Sequence, residues 1–503
     1  MKTLYYNGTF LNFNHQVINN LLVEDSKIIG INVDIEKSFK LFDLKGKTLM
    51  PAFIDPHSHI IAFSKTFAIC DLNYVKNFDE IIERLKKFKN DNNLGEKDLI
   101  VGFGYDHNDI IEKEHPNNKV LNKVSESNPI LITHKSGHMG VINDAFLKLT
   151  PYKDDSFNGF YAENEFFKFM GYYKEPSKKV KVKNYLKAQE IYNSFGIAIY
   201  DEAKVLFDDF EFLKYLNTNH HIKGLINSHL VIDDIKNDEY LLYKDSLNGF
   251  RVVSSKIFLD GSPQGKTAYL LKPYEKSNEY GILNMNDEEL YQLIKKSISL
   301  KLRVFAHCNG DGACEQYLRV LERLKKEGVD INSQRPVMIH AQLLQKDQLK
   351  RVKDLNMVTS FFVDHTYYYG DVHLVNLGER AYNISPMDSA LKEGVVITLH
   401  QDTPVMLPHM FESIYHSMTR TTKNGIVLNK NECLEIEDAL KLVTINAAYQ
   451  MGIEDKVGDL KVGMLANFII IDENPYLIEK ERIKDIKVLK TIINNEIVYE
   501  KKA

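Results

Sequence analysis

The chain is predicted to be an α/β protein organised as a (β/α)8, TIM-like barrel. Three observations carry that expectation. Short β-branched runs alternate with helix-like segments through the middle of the chain. Those runs finish, one after another, in polar side chains. Residues 1–50 and 455–503 depart from this style and read as strands broken by tight turns.

The first of the central runs is "PAFIDPHSHI" (51–60), followed by "PILITHKSGH" (129–138), "GIAIYDEA" (196–203), "SSKIFLDGS" (254–262), "LRVFAHCNGD" (302–311), "RPVMIHAQL" (335–343), "NMVTSFFVDH" (356–365) and "GVVITLHQD" (394–402). "GLINSHLVI" (224–232) is the uncertain member, so the count is eight or nine. Between runs, apolar residues return at helical spacing. Tyr317, Val320, Leu321 and Leu324 make one stripe, stopped by Gly328; Tyr185, Ala188, Tyr192 and Phe195 make another, stopped by Gly196. Repeated βα units with apolar strands imply a parallel sheet covered by helices. In barrels the chemistry lies at the carboxyl ends of the strands. An open doubly wound sheet would also place polar groups there, but no glycine-rich dinucleotide loop follows the first strand. Residues 62–128 and 140–182 are too long for simple loops and should form an inserted cap. The termini contribute turn signals at Asn7-Gly8 and Asn494-Asn495.

Composition excludes several classes. A net charge of −5 over 503 residues predicts no nucleic-acid partner. No run approaches the roughly 18 apolar residues of a membrane span, and no signal peptide is evident, so no membrane association and a cytoplasmic location are expected. Four cysteines, none paired as C-x-x-C, fit a reducing compartment.

Candidate chemistry begins with His57 and His59, two apart in an apolar run with Asp55 before them. Alternation along a strand would turn residues 55, 57 and 59 to one side. His307, His340 and Asp402 each close a later run. A lone strand-end histidine is usually structural. Four histidines and an aspartate at successive strand ends are the donor set of a catalytic metal site, which uses His and carboxylate ligands with one position open.

These segments resemble the amidohydrolase superfamily, and more narrowly its YtcJ-like branch, which includes the N-substituted formamide deformylases. "LKGKTLMPAFIDPHSH", "ILITHKSGHMGVIND", "KIFLDGSPQGKTAYL", "HCNGDGA", "IHAQL", "GVVITLHQDTPV" and "ALKLVTINAAYQMG…VGDLKVGMLANFIIID" carry the resemblance over nearly the whole chain. It implies a barrel of residues 51–454 and a small β-sandwich built from 1–50 and 455–503. It also implies one or two divalent metal ions per chain, zinc by preference. His57 and His59 would hold one, His307 and His340 another, and Asp402 would be both ligand and general base. Lys256 stands where many relatives carry a carboxylated lysine bridging two metals; Glu163 competes for that place, and a Lys256–Asp260 ion pair is the alternative role. Ala52, Gln401 and Asn467 depart from the family pattern without removing a ligand. The absence of tryptophan means that the substrate pocket is lined differently from those of relatives.

The implied reaction is metal-assisted hydrolysis of a C–N bond, an amide other than a peptide, in a small-molecule substrate. An aminohydrolase releasing ammonia is the nearest alternative, and a non-catalytic scaffold keeping the fold is a more distant one. His138, Asp260, Tyr367 and Arg380 are the candidates for substrate binding, each weighed against a loop-ordering role. Similar proteins are frequently dimers, which leaves a homodimer open.

Overall fold

The computed structural model describes residues 2–152, 157–172 and 176–502. The predicted cap stretch 140–182 therefore includes two short segments that lie outside the described residues. The chain divides into two compact units, Met1–Ile60 with Gln189–Ala503, and Ile61–Ala188.

The first unit is built on an eight-stranded parallel sheet: β1 (Phe53–Ile54), β2 (Ile197–Val205), β3 (Leu225–Val231), β4 (Gly249–Phe258), β5 (Arg303–Cys308), β6 (Val337–His340), β7 (Val358–Phe361) and β8 (Val396–Leu399). Spatial order follows chain order throughout. Beyond the last ladder pairs the two edges meet, since Asp402 N–H donates to the His57 carbonyl at 3.1 Å and His59 N–H to the Thr403 carbonyl at 2.8 Å. The sheet is thus curled in the manner of a TIM-like barrel. Its strands are buried on both faces; β4 has nine buried residues of ten, which is why they read as continuous apolar runs rather than alternating ones.

Helices return the chain between strands. Asp311–Lys326 follows β5 with Tyr317, Val320, Leu321 and Leu324 all buried, and Gly328 beyond its end takes φ +90°. Gly196, between the helix Lys178–Ser194 and β2, has φ +84°, and a Cβ there would lie 2.9 Å from Ile469. Both the left-handed backbone and the close approach require glycine. Asn286 opens the helix Asp287–Ser299 with a reciprocal capping box to Glu289, worth about 1 kcal/mol.

One strand assignment is corrected. Ile130–His134, expected in the barrel, belongs to the second unit, and Leu225–Val231, the uncertain run, is β3. Both are short apolar runs; only pairing distinguishes them, and no local pattern encodes a strand's partner.

Both chain ends supply strands to one five-stranded sheet, ordered Thr9–Phe10, Thr48–Pro51, Phe468–Ile471, Val488–Ile493, Glu496–Glu500. A four-stranded sheet is made from residues 2–43 alone. Tyr5, Val23, Leu49, Phe468 and Ile492 share one buried cluster drawn from both sheets. The final hairpin turns on Asn494 and Asn495, at φ 51° and 67°, as a two-residue turn of the primed type needs.

The second unit contains a five-stranded sheet in the order Phe160–Ala162, Met139–Ile142, Ile130–His134, Ile100–Tyr105, Cys70–Asp71. The helix Phe78–Asp91 buries Ile81, Ile82 and Leu85, and Asn77 caps it by accepting from the Glu80 N–H.

Candidate metal centre

Five of the predicted residues meet at the carboxyl ends of the barrel strands. His57 and His59 lie in the segment just past β1, Lys256 is in β4, and His340 closes β6. Asp402 follows β8. The first ladder ends at Ile54, so it is the bend beyond the strand, not the strand itself, that presents the two histidines. His340 and Asp402 adopt left-handed backbone, φ 72° and 53°. Such a conformation costs of order 1–3 kcal/mol outside glycine and concentrates at functional sites.

The Asp402 Oδ1 atom is the hub. It lies 3.4 Å from His57 Nε2 and 3.4 Å from His59 Nε2. Lys256 Nζ is 3.3 Å from His57 Nε2. Ligand-type atoms of His57, His340 and Asp402 all fall within 4.8 Å of one another. His307 packs its ring against His340 at a centroid distance of 4.5 Å. Most of these side chains are fully enclosed. His59 and Asp402, at 19% and 16% exposed, form the edge that solvent or a substrate can touch.

Burial sets the protonation states. It holds His57 and His340 well below the usual histidine range, helped by the Lys256 charge at His57 and by His307 at His340. Lys256 is brought down to about 7 by burial, against the pull of Asp402. Burial pushes the Asp402 carboxyl up, yet the His59 hydrogen bond and charge outweigh it and keep the carboxylate ionised. His59 is raised to about 9 because Asp402 and Glu202 together overcome its own desolvation. Glu202 stands 3.5 Å from His59 Nδ1.

The neutral imidazole of His57, facing the ionised Asp402 carboxylate at 3.4 Å, suits a zinc-type divalent ion, and His59 gives up its proton when it serves as a ligand. Ligand atoms on a tetrahedral centre with bonds of about 2.0–2.2 Å are about 3.3–3.6 Å apart. Lys256, in contact with His57, is a cation of the set beside His59, and a neutral amine there removes its conflict with a bound ion. The residues present fit the metal.

Two further groups complete the centre and escaped sequence reasoning. His400, fully buried, joins its Nε2 to His340 Nδ1 at 3.1 Å and its Nδ1 to the Ser360 hydroxyl at 2.8 Å. Glu202 is the other. His400 directly follows β8, two residues before Asp402, so the strand-end rule could have found it, whereas Glu202 lies inside β2 beside Asp201.

The other predicted residues are placed as follows. Asp260 accepts from His307 Nδ1 at 3.1 Å, from Asn309 and Gly310 N–H at 2.9 and 2.7 Å, and from Tyr269 N–H at 3.1 Å. Both its oxygens are thereby occupied in orienting His307 and its loop. Arg380 donates to the carbonyls of Leu377, Lys272 and Pro273. Tyr367 stacks on His416 at 4.8 Å and 13°. His138 and Glu163 belong to the second unit, paired at 3.1 Å.

Residues 40–499 match the model of the amidohydrolase family. The chain belongs to that family. This amidohydrolase is 24% identical to the Bacillus subtilis protein YtcJ over 91% of its own length and 90% of the relative's. It is 22% identical to an N-substituted formamide deformylase of Arthrobacter pascens, covering 92% and 90%. An uncharacterized metal-dependent hydrolase from Pyrococcus horikoshii has a similar structure, with a TM-score of 0.80, 26% identity and coverage of 96% and 99%. A metal-dependent hydrolase is therefore the class to which this amidohydrolase is assigned. Among the described residues no helix is long and apolar enough to cross a membrane.

Proposed function

We propose that this amidohydrolase cleaves a non-peptide amide C–N bond in a small molecule, with Asp402 as general base. The observation that carries this reading is the Asp402 carboxylate, ionised, 3.4 Å from two imidazoles and exposed on one edge. His57, His59, His340 and Asp402 would hold a divalent ion, zinc by preference, with His307 and Lys256 available to a second. When bound, such an ion supplies Lewis acidity to a carbonyl and acidifies water.

The remaining work falls to this chain's residues. Asp402 accepts the proton of the attacking water at its carboxylate and returns it to the departing nitrogen, so the amine leaves neutral. His57 and His340, neutral and enclosed, keep the centre dry on the barrel side, where electrostatic contacts are strongest. Asp260 fixes the ring of His307. Lys256, near neutral pH half uncharged, is nucleophilic enough to take up carbon dioxide as a carbamate, which would give the centre a bridging anion. Tyr367 and Arg380 are proposed at the substrate side, each also serving the contacts described above. The division into a barrel of 51–454 and a sandwich from both termini is part of the same reading.

The test pairs elemental analysis with turnover on a panel of N-substituted formamides and simple amides. Amine plus carboxylate, together with metal that falls in a His57→Ala/His59→Ala variant, is the expected result. Release of ammonia alone would move the assignment to an aminohydrolase. A folded, metal-free protein without turnover would leave a scaffold.

A further inference from the structure

We propose that Asp106, His107 and His134 form an additional metal site, taking a zinc-type divalent ion through three protein ligands in the Ile61–Ala188 unit. This does not rest on the reading of the barrel centre, with which it shares no residue.

The fold brings the three together. Ile100–Tyr105 and Ile130–His134 are adjacent parallel strands, and a bulge before His134 sets it opposite Tyr105. Asp106 and His107 follow directly. All three side chains therefore leave the carboxyl ends of neighbouring parallel strands, where α/β sheets bind ligands. His107 Nδ1 is 3.3 Å from His134 Nε2, His134 Nε2 is 3.4 Å from Asp106 Oδ1, and His107 Nδ1 is 3.8 Å from Asp106 Oδ1. Two edges of this triangle match a face of a tetrahedron whose arms are about 2.0–2.2 Å and edges about 3.3–3.6 Å, and the third, at 3.8 Å, is slightly longer.

The competing reading is a hydrogen-bonded structural cluster. Charge-assisted N–H···O bonds run at about 2.7–2.9 Å. Where this protein makes buried His–Asp hydrogen bonds the distances are shorter, 2.8 Å between His229 and Asp201 and 3.1 Å between His307 and Asp260. The His134–Asp106 spacing is longer, and equals the 3.4 Å between Asp402 and the histidines of the barrel centre. His134 Nε2 also faces two acceptor-type atoms with one N–H to give. An ion on Nε2 would require the proton on Nδ1, donated to the Ser136 hydroxyl at 2.9 Å in place of the contact that the Ser136 backbone N–H makes to Nδ1 at 3.1 Å. Asn108 steadies Asp106 Oδ1 through its backbone and side-chain N–H groups at 2.9 and 3.1 Å. His115 stacks on the His107 ring at 3.9 Å and engages the Tyr105 hydroxyl through Nδ1, which fixes the plane of the ligand ring. Asp106 and His134 are buried while His107 is 19% exposed, so the fourth position opens past His107 to water or a small oxygen ligand.

The full-length protein, stripped with chelator and reloaded with Zn2+, would be compared with a His107→Gln/His134→Gln variant by elemental analysis. One equivalent fewer in the variant, with the metal removed by His57→Ala/His59→Ala still present, is expected. Equal zinc in the variant and the wild type overturns the site. Failure of the barrel reading would appear separately, as metal unchanged in His57→Ala/His59→Ala. If the double variant does not fold, Asp106→Asn keeps the shape; titrated with Co2+ beside wild type, it should lose one equivalent's share of the intense visible band of low-coordinate cobalt or fill that equivalent at least tenfold more weakly. A spectrum and affinity identical to wild type overturns the proposal.

Discussion

Asp402 meets His57 twice, through its backbone N–H to the His57 carbonyl at 3.1 Å and through Oδ1 to the His57 ring at 3.4 Å. The same pair of residues thus joins the two edges of the curled sheet and forms the middle of the polar centre. Strain at Asp402, with φ 53°, is held by that closure. Folding of the barrel and assembly of the centre are therefore one event.

Substitution Asp402→Asn keeps the shape and removes the proposed base. Turnover on a responsive amide should fall by on the order of 10²–10⁴, measured as initial rates beside metal content. Wild-type rates in a folded variant would eliminate Asp402 as the base.

Lys256, at about 7, should make metal loading depend on carbon dioxide. Reconstitution of wild type with bicarbonate is expected to raise metal per chain above that in degassed buffer. A Lys256→Met variant should show the lower value in both. Identical wild-type stoichiometry in the two buffers would remove the carbamate.

Asp260→Asn leaves His307 without its carboxylate partner. Loss of such a group behind a metal-binding histidine weakens metal affinity or activity by roughly 10–100-fold. Competition with a chromophoric chelator measures it. An unchanged affinity would confine Asp260 to loop structure.

His373 is held down to about 3 by burial, and its Nε2 meets His365 Nδ1 at 3.1 Å. His365 is likewise lowered, by burial and then by His373. In the unfolded chain each titrates near 6.5. Below that pH the unfolded state binds protons the native state refuses, so stability is complete above about 6.5 and declines as pH falls toward 3. Each such group contributes a slope of about 1.4 kcal/mol per pH unit in that window. Urea midpoints at pH 7, 6 and 5 should fall steeply for wild type and less steeply for His373→Gln; parallel curves would contradict the assignment.

How far the sequence alone reached is clearest at particular residues. The stripe Tyr317, Val320, Leu321, Leu324 and its stop at Gly328 were readable because helical periodicity and the glycine preference for positive φ are local. So was the turn at Asn494-Asn495. The donors His57, His59, His307, His340 and Asp402 were readable as a set because strand ends recur with the βα repeat, and residue type there reports chemistry. Pairing was not readable. Which of Ile130–His134 and Leu225–Val231 enters the barrel depends on partners far along the chain, and the two runs have the same local pattern. Nor could the sequence show that Asp260 turns to His307, that His400 backs His340, or that Asp106, His107 and His134 converge. Those are distances between side chains on different strands, set by register and bulges, and only the folded chain has them.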